Sequence, residues 1–208
     1  MANTRSMLWQ PSLLDAGNEP GFDADFTSAR HVPLDDTAWV EHVPGWVQGA
    51  DALFATIVDR APWAQRRVHM YDRMVDEPRL IAWYGTSLDD PSLPPVIAPM
   101  AAALSARYGR EFDGVGAALY RDGRDSVAWH GDRIPDEVID PVVALISLGS
   151  RRTLRMRCKS RHGETRAFTF VPGDLFVMGG TAQRTWEHSV PKVANAGPRL
   201  SLQFRHSR

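Results

Sequence analysis

Tyr120-Arg-Asp-Gly-Arg-Asp-Ser-Val-Ala-Trp-His-Gly-Asp132 ends on an imidazole and a carboxylate one residue apart, His130 and Asp132. On a β-strand, residues i and i+2 point to the same face. Both groups can then reach one small ion, and a third ligand has to come from elsewhere in the chain. His188 is the best placed, because Thr185-Trp-Glu-His-Ser-Val-Pro191 is an apolar, β-branched stretch late in the sequence. His162, in a charged loop, and His206, at the terminus, are its rivals. The plainer alternatives are a surface His130–Asp132 pair and a core histidine at 188.

Outward from that stretch the chain is strand-rich. Short β-like runs cover Ala117 to Arg121, Val142 to Leu148, Thr153 to Arg157, Arg166 to Val171, Asp174 to Met178, Thr185 to Val190 and Arg199 to Arg205, with Gly, Pro and Asp between them. Such a series predicts a jelly roll, whose neighbouring strands would bring His130, Asp132 and His188 together across a long sequence gap. Two histidines and one carboxylate with the opposite positions open are the arrangement of non-haem Fe(II) sites. Arg199 and Arg205 lie an even number of residues apart and share a strand face. Turned inward they need an anion, since an uncompensated buried charge is costly; turned outward they are ordinary surface residues.

The first half of the chain reads differently. Residues 1 to 45 show little periodicity and predict an N-terminal extension of short strands, anchored by Trp9, Trp39 and Trp46. Residues 47 to 60 place Leu53, Phe54, Ile57 and Val58 on one helical face, and Pro62 ends that helix. Pro94 and Pro95 open a second helix carrying Val96, Ile97, Met100, Ala101 and Leu104 and closing near Gly109. The expectation is one α+β domain over 1–208: an extension at 1–45, a helical and substrate-facing region at 46–110, and a double-stranded β-helix core at 111–208 with buttressing helices.

The ordered set His130-x-Asp132, His188 and Arg199-x5-Arg205 resembles the AlkB family of Fe(II)- and 2-oxoglutarate-dependent dioxygenases. Tyr120 to His130, Ser147-Leu-Gly149 and Gly173-Asp-Leu-Phe-Val-Met-Gly-Gly180 resemble its flanking motifs, and the similarity runs from about Met70 to Arg205. The resemblance implies that His130, Asp132 and His188 hold Fe(II). It implies that 2-oxoglutarate places its far carboxylate on Arg199 and Tyr120, with Arg205 near the metal-proximal end. Arginine offers a planar fork there that lysine cannot copy. The implied reaction oxidises an N-methyl group of alkylated DNA or RNA and releases succinate, CO2 and formaldehyde. Val68 to Asp90 resembles the family's nucleotide-recognition lid, with Trp83 as the aromatic that stacks on a flipped base. The plainer alternative for Trp83 is a half-buried strand residue. Met74 with Val75 would form an apolar wedge, and Arg79 and Tyr84 complete the substrate-facing set. Three positions depart from the family pattern: Ala118 and Ser201 replace asparagines that contact the co-substrate, and Ile134 stands where relatives carry a base-reading carboxylate, with Asp136 and Glu137 slightly further on. A modified tRNA, a protein or a small molecule is the alternative substrate, and a catalytically weak nucleic-acid-binding module is the alternative class.

Composition sets bounds on all of this. A chain of 208 residues with a formal net charge of −1 is long enough for a full core and argues against binding nucleic acid by bulk electrostatics alone. Charge is nevertheless clustered, at Arg60, Arg66, Arg67, Arg73 and Arg79, and again at Arg151, Arg152, Arg155, Arg157, Lys159, Arg161 and Arg166. Phosphate contact and a solvated strand face are the two readings of these clusters. No apolar run approaches the ~18 residues of a membrane span, and Met1 to Pro20 lack a signal peptide's apolar core. The single cysteine, Cys158, allows no internal disulfide and reads as a plain strand residue. A cytoplasmic monomer without membrane contact is expected. Trp129 is expected in the core on the face opposite His130, Asp174 in a turn, and Glu187 pointing away from the metal.

Overall fold

The computed structural model describes residues 19–70, 72–132, 134–135, 137–161 and 163–206. Trp9, His162 and Asp136 lie outside these described residues. In chain order the elements are β1 (Gly21–Phe22), β2 (Arg30–Pro33), β3 (Ala38–Val43), β4 (Val47–Gln48), α1 (Ala50–Arg60), β5 (Arg67–Met70), β6 (Arg73–Asp76), β7 (Leu80–Gly85), α2 (Ile97–Tyr108), β8 (Gly114–Tyr120), β9 (Val127–His130), β10 (Val143–Gly149), β11 (Arg152–Cys158), β12 (Thr165–Phe170), β13 (Leu175–Gly180), α3 (Ala182–Thr185), β14 (Trp186–Val190) and β15 (Arg199–Arg205).

A seven-stranded sheet, ordered β2-β3-β13-β10-β15-β8-β7, faces a four-stranded sheet, ordered β12-β11-β14-β9. All pairings in both are antiparallel. This is the expected double-stranded β-helix. Strand alternation sorts its side chains into two cores. Val115, Ala117 and Leu119 of β8, Ala144, Ile146 and Leu148 of β10, and Leu200, Leu202 and Phe204 of β15 face the helices. Ala118, Tyr120, Val143 and Leu145 turn the other way, toward Leu154, Met156 and Trp186 of the smaller sheet. Strands β8 and β10 are buried on both faces.

Helix α1 packs Leu53, Phe54 and Ile57 against the large sheet, and α2 adds Ile97, Met100 and Leu104. Each such side chain contributes ~1.5–3 kcal/mol through burial. Gly109 closes α2 with φ 62, the left-handed conformation that glycine adopts without strain. Trp46 is fully buried and Trp39 packs at the edge of the same cluster.

Three expectations change. The large sheet is not confined to 111–208: β3 pairs with β13, β2 with β3, and β7 with β8. Strands from both earlier regions thus cover edges that would otherwise expose unpaired backbone groups. The run expected to start at Thr185 begins at Trp186, because Thr185 closes the short helix α3. Arg152, grouped by sequence with a basic cluster, is buried and donates to the carbonyls of Asp122 (3.0 Å), Asp125 (2.7 Å) and Pro191 (3.1 Å). Asp174 does make a turn. Its carboxylate accepts from the amides of Gly45 and Val171, each at 3.0 Å, and pairs with His42 Nε2 at 3.0 Å.

Candidate active site

Strands β9 and β14 of the smaller sheet are neighbours, and His130 and His188 stand directly opposite each other in their register. The two rings lie 4.3 Å apart between centroids. Asp132, just past the end of β9, brings Oδ1 to 4.0 Å from His188 Nε2. One ligand atom from each of His130, Asp132 and His188 lies within 4.8 Å of the others, so the three can close on one ion. Gly131 is needed between them, since a Cβ there would stand 2.8 Å from the Gln183 carbonyl oxygen.

The donors are set for metal binding. His130 Nδ1–H donates to the Ala128 carbonyl at 2.8 Å, which leaves the Nε2 lone pair free for an ion. Burial pushes His188 down to about 4; His130 and Arg205 lower it further and Asp132 opposes them. It is therefore a neutral imidazole near pH 7, the form that ligates metals. Asp132 is held from two sides. Its amide donates to Gln183 Oε1 at 3.1 Å, and Arg205 Nη2 donates to its Oδ1 at 3.2 Å.

Strand β15 supplies the rest. Arg199, Ser201, Gln203 and Arg205 turn toward the smaller sheet, opposite Tyr120, Ala118, Gly116 and Gly114 of β8. Arg199 is fully buried and donates from Nε to Ser147 Oγ at 3.1 Å. Its guanidinium lies 5.3 Å from the Tyr120 ring, and among the described residues it has no carboxylate partner. Burial lowers it to about 10, and nearby Arg152 lowers it further, against Tyr120. A buried cation with one neutral partner is costly to the fold and favourable to an anion that enters. The inward alternative for this strand is the one observed. Ala118 and Ser201, the two departures from the family asparagines, are direct cross-strand partners, with Ser147 next in the row.

The substrate-facing residues divide. Trp83 is 56% exposed and lies against β8 on the face that carries Arg205. Its indole occupies the space that side chains at 114 and 116 would take: a Cβ on Gly116 would stand 2.7 Å from Cε3. Arg205 Cζ is 6.0 Å from the ring. Met74 is exposed on the β5–β6 hairpin. Tyr84 is corrected, because one step along β7 it is buried in the helix-side core, away from Trp83. Arg79 is half-buried and its Nη2 lies 3.6 Å from Glu77 Oε2, so its charge is already matched. Ile134 packs toward the inter-sheet core.

Other expectations resolve in the same way. Trp129 faces away from His130 but onto the outer surface of the smaller sheet, where Arg157 lies 4.5 Å over its ring; it is not a core residue. Glu187 pairs with that same arginine at 2.7 Å and points away from His188. His206 is buried and accepts from the Val142 amide at 2.9 Å, far from the proposed ligand role. Cys158 is a buried strand residue. Sequence reasoning gave no role to Gln183 or Gln203, placed Ser147 only within a flanking motif, and put Arg152 in a basic surface cluster. Gln203 carried a signal in its even spacing from Arg199 and Arg205, and Ser147 in the motif around it; Gln183 carried none.

A family model described as the 2OG-Fe(II) oxygenase superfamily matches residues 47–208. The human protein named alpha-ketoglutarate-dependent dioxygenase alkB homolog 3 is 33% identical over 182 residues, which cover 78% of this chain and 64% of the relative. The Arabidopsis thaliana DNA oxidative demethylase ALKBH2 is 29% identical over 184 residues, covering 69% and 58%. The chain thus spans just under two thirds of the length of these curated relatives. The solved structure of OsALKBH1 superposes with a TM-score of 0.58 at 15% identity, covering 85% of this chain and all of the other, a likeness of fold. Among the described residues no helix is long and apolar enough to cross a membrane.

Proposed function

Because the chain belongs to the 2OG-Fe(II) oxygenase superfamily and has alkB homologues as relatives, we propose that it oxidatively removes N-methyl groups from bases of DNA or RNA. 2-Oxoglutarate and O2 would be consumed, with succinate, CO2 and formaldehyde as products, and Fe(II) would serve as the catalytic metal. The observation that carries the nucleic-acid reading is Trp83, a large indole left exposed beside Arg205 on the face that leads to His130, Asp132 and His188. An exposed flat ring beside a metal site suits a base taken out of its stack.

The residues fit the cofactors. His130, Asp132 and His188 would hold the iron, and Arg199 with Tyr120 would hold the far carboxylate of 2-oxoglutarate. When bound, the iron and its co-substrate supply the oxidation of a methyl C–H bond by dioxygen. The chain's own part is orientation. Ala128 fixes the His130 tautomer, Gln183 holds the Asp132 backbone amide, Arg205 aims the Asp132 carboxylate, and Ser147 fixes the Arg199 guanidinium. The walls formed by Leu145, Met156 and Trp186 keep bulk water from the metal side. Action as a monomer is part of the proposal.

The test uses purified protein with Fe(II), ascorbate and 2-oxoglutarate, against single-stranded DNA and tRNA carrying methylated bases. Succinate and residual methylated base are followed together by mass spectrometry, with His130→Ala as control. Succinate with methyl loss, both absent in the variant, is the expected result. Succinate without methyl loss would redirect the search to a protein or small-molecule substrate. Neither product from protein that binds iron would remove the enzymatic reading.

A further inference from the structure

Gln203 lies between Arg199 and Arg205 on the inward face of β15, in register with Gly116 and Leu145. Its Oε1 accepts from Arg205 Nη2 at 2.9 Å, and the same nitrogen donates to Asp132 Oδ1 at 3.2 Å. A guanidinium can only donate, so the amide oxygen must face it and Nε2 must turn away. Among the described residues that Nε2 has no hydrogen-bond partner, and the side chain is only half-buried. Across Gly116, on the adjoining strand, the Trp83 indole fills the glycine's empty side-chain space. The exposed indole and a free amide N–H therefore border the same approach to Asp132.

We propose that Gln203 selects the base, an inference that rests on the demethylase reading. Its N–H donates to a carbonyl oxygen flanking the methylated nitrogen of a base stacked on Trp83. The methylated nitrogen of 3-methylcytosine has one carbonyl neighbour and that of 3-methylthymine has two. In 1-methyladenine its neighbours are C2–H and the carbon bearing the amino group, so no carbonyl is available. A desolvated donor left without an acceptor disfavours that complex by roughly tenfold or more. Ile134, apolar and packed inward, offers no compensating acceptor to the amino group. The chain therefore favours bases with a carbonyl beside the methylated nitrogen.

Gln203→Glu separates the donor from the rest. It keeps an oxygen for Arg205, replaces the N–H by an acceptor and adds a carboxylate charge, so Mn(II) affinity is measured alongside to show that the Arg205–Asp132 contact survives. Single-stranded oligonucleotides with one 3-methylcytosine, 3-methylthymine or 1-methyladenine are compared for kcat/KM with Fe(II) and 2-oxoglutarate. Their Kd is measured by fluorescence anisotropy with Mn(II) in place of iron, and 2-oxoglutarate Kd is measured alongside. The wild type is expected to favour the first two bases by roughly tenfold or more. Gln203→Glu is expected to lose that advantage in both rate and binding at an unchanged 2-oxoglutarate Kd. Equal base ratios in wild type and variant would overturn the proposal. A uniform loss on all three bases with weaker 2-oxoglutarate binding would also overturn it and assign the amide to the co-substrate. Should the wild type turn over 2-oxoglutarate but demethylate no base, the demethylase reading itself falls, and the anisotropy ratios still report whether Gln203 discriminates.

Discussion

Arg205 Nη2 stands 3.2 Å from Asp132 Oδ1, so the last strand of the large sheet holds the carboxylate, just past the end of β9, that is proposed to bind the metal. This contact ties the two sheets together at the place where the chemistry is proposed. Groups that orient a ligating carboxylate typically change metal affinity by ~10–100-fold when removed. Arg205→Met is expected to weaken Mn(II) binding by about that factor while leaving the far-UV spectrum unchanged. Unaltered Mn(II) affinity in a titration would show that Asp132 is oriented without it.

Arg199 makes an opposite prediction for stability and for binding. A buried cation with no carboxylate partner burdens the fold below its pKa of about 10. Apolar replacement of buried ions is often neutral or stabilising by ~1–4 kcal/mol. Arg199→Met is expected to match or exceed the wild-type Tm without co-substrate and to lose the Tm increase that 2-oxoglutarate gives the wild type. That increase corresponds to ~2.7 kcal/mol at a hundredfold excess over Kd. A lowered Tm with the 2-oxoglutarate increment retained would contradict both halves.

Gly116 exists to admit Trp83. Its φ/ψ place no demand on glycine, but a Cβ would stand 2.7 Å from indole Cε3 and 3.0 Å from Cζ3. Gly116→Val is expected to lift the indole off β8 and to lower affinity for methylated single-stranded DNA by roughly tenfold, the scale of one lost base–aromatic stack. Mn(II) binding should change far less than in Arg205→Met, because the atoms that a Cβ at 116 meets belong to Trp83 and the Ala82 carbonyl and not to Arg205 or Asp132. Trp83→Ala should give the same loss, and a double variant should add nothing further.

Asp174 links stability to acid. Burial alone would raise its carboxyl, but the His42 contact and the amides of Gly45 and Val171 hold it below the usual carboxylate value. A depressed carboxylate stabilises the fold at pH above its unfolded value of ~3.9, and that contribution is lost as pH falls through the lower folded value. Asp174→Asn is therefore expected to lower Tm at pH 6–7, with the gap to wild type closing as pH drops below about 4. A Tm gap independent of pH would mean that the turn is held by shape rather than by charge.

Much of this molecule is local pattern, and local pattern is what one sequence carries. Alternation along Arg199 to Arg205 put both arginines on one face, and Arg199–Arg205 is indeed a strand. The spacing of His130 and Asp132 announced two ligand-type side chains within reach of one point, and the apolar spacing at Leu53, Phe54 and Ile57 announced α1. Two-residue and 3.6-residue periods are written into neighbouring positions and need no partner to be read. The ordered motifs pointed to His188 as the third candidate ligand by resemblance, and it does join the other two.

What alternation cannot say is which face is inside, and which strand lies next to which. The tertiary structure decided that Arg199 points into the barrel, that His188 stands opposite His130, and that residues 30–43 and 80–85 complete the large sheet. It also decided that Tyr84 is core while its neighbour Trp83 is exposed, that Arg152 is buried, and that Gln203 meets Arg205 beside Asp132. Each depends on pairing between segments far apart in sequence. The free energy of that pairing comes from burying both faces of β8 and β10 at once, a property of the assembled sheets and of no single stretch.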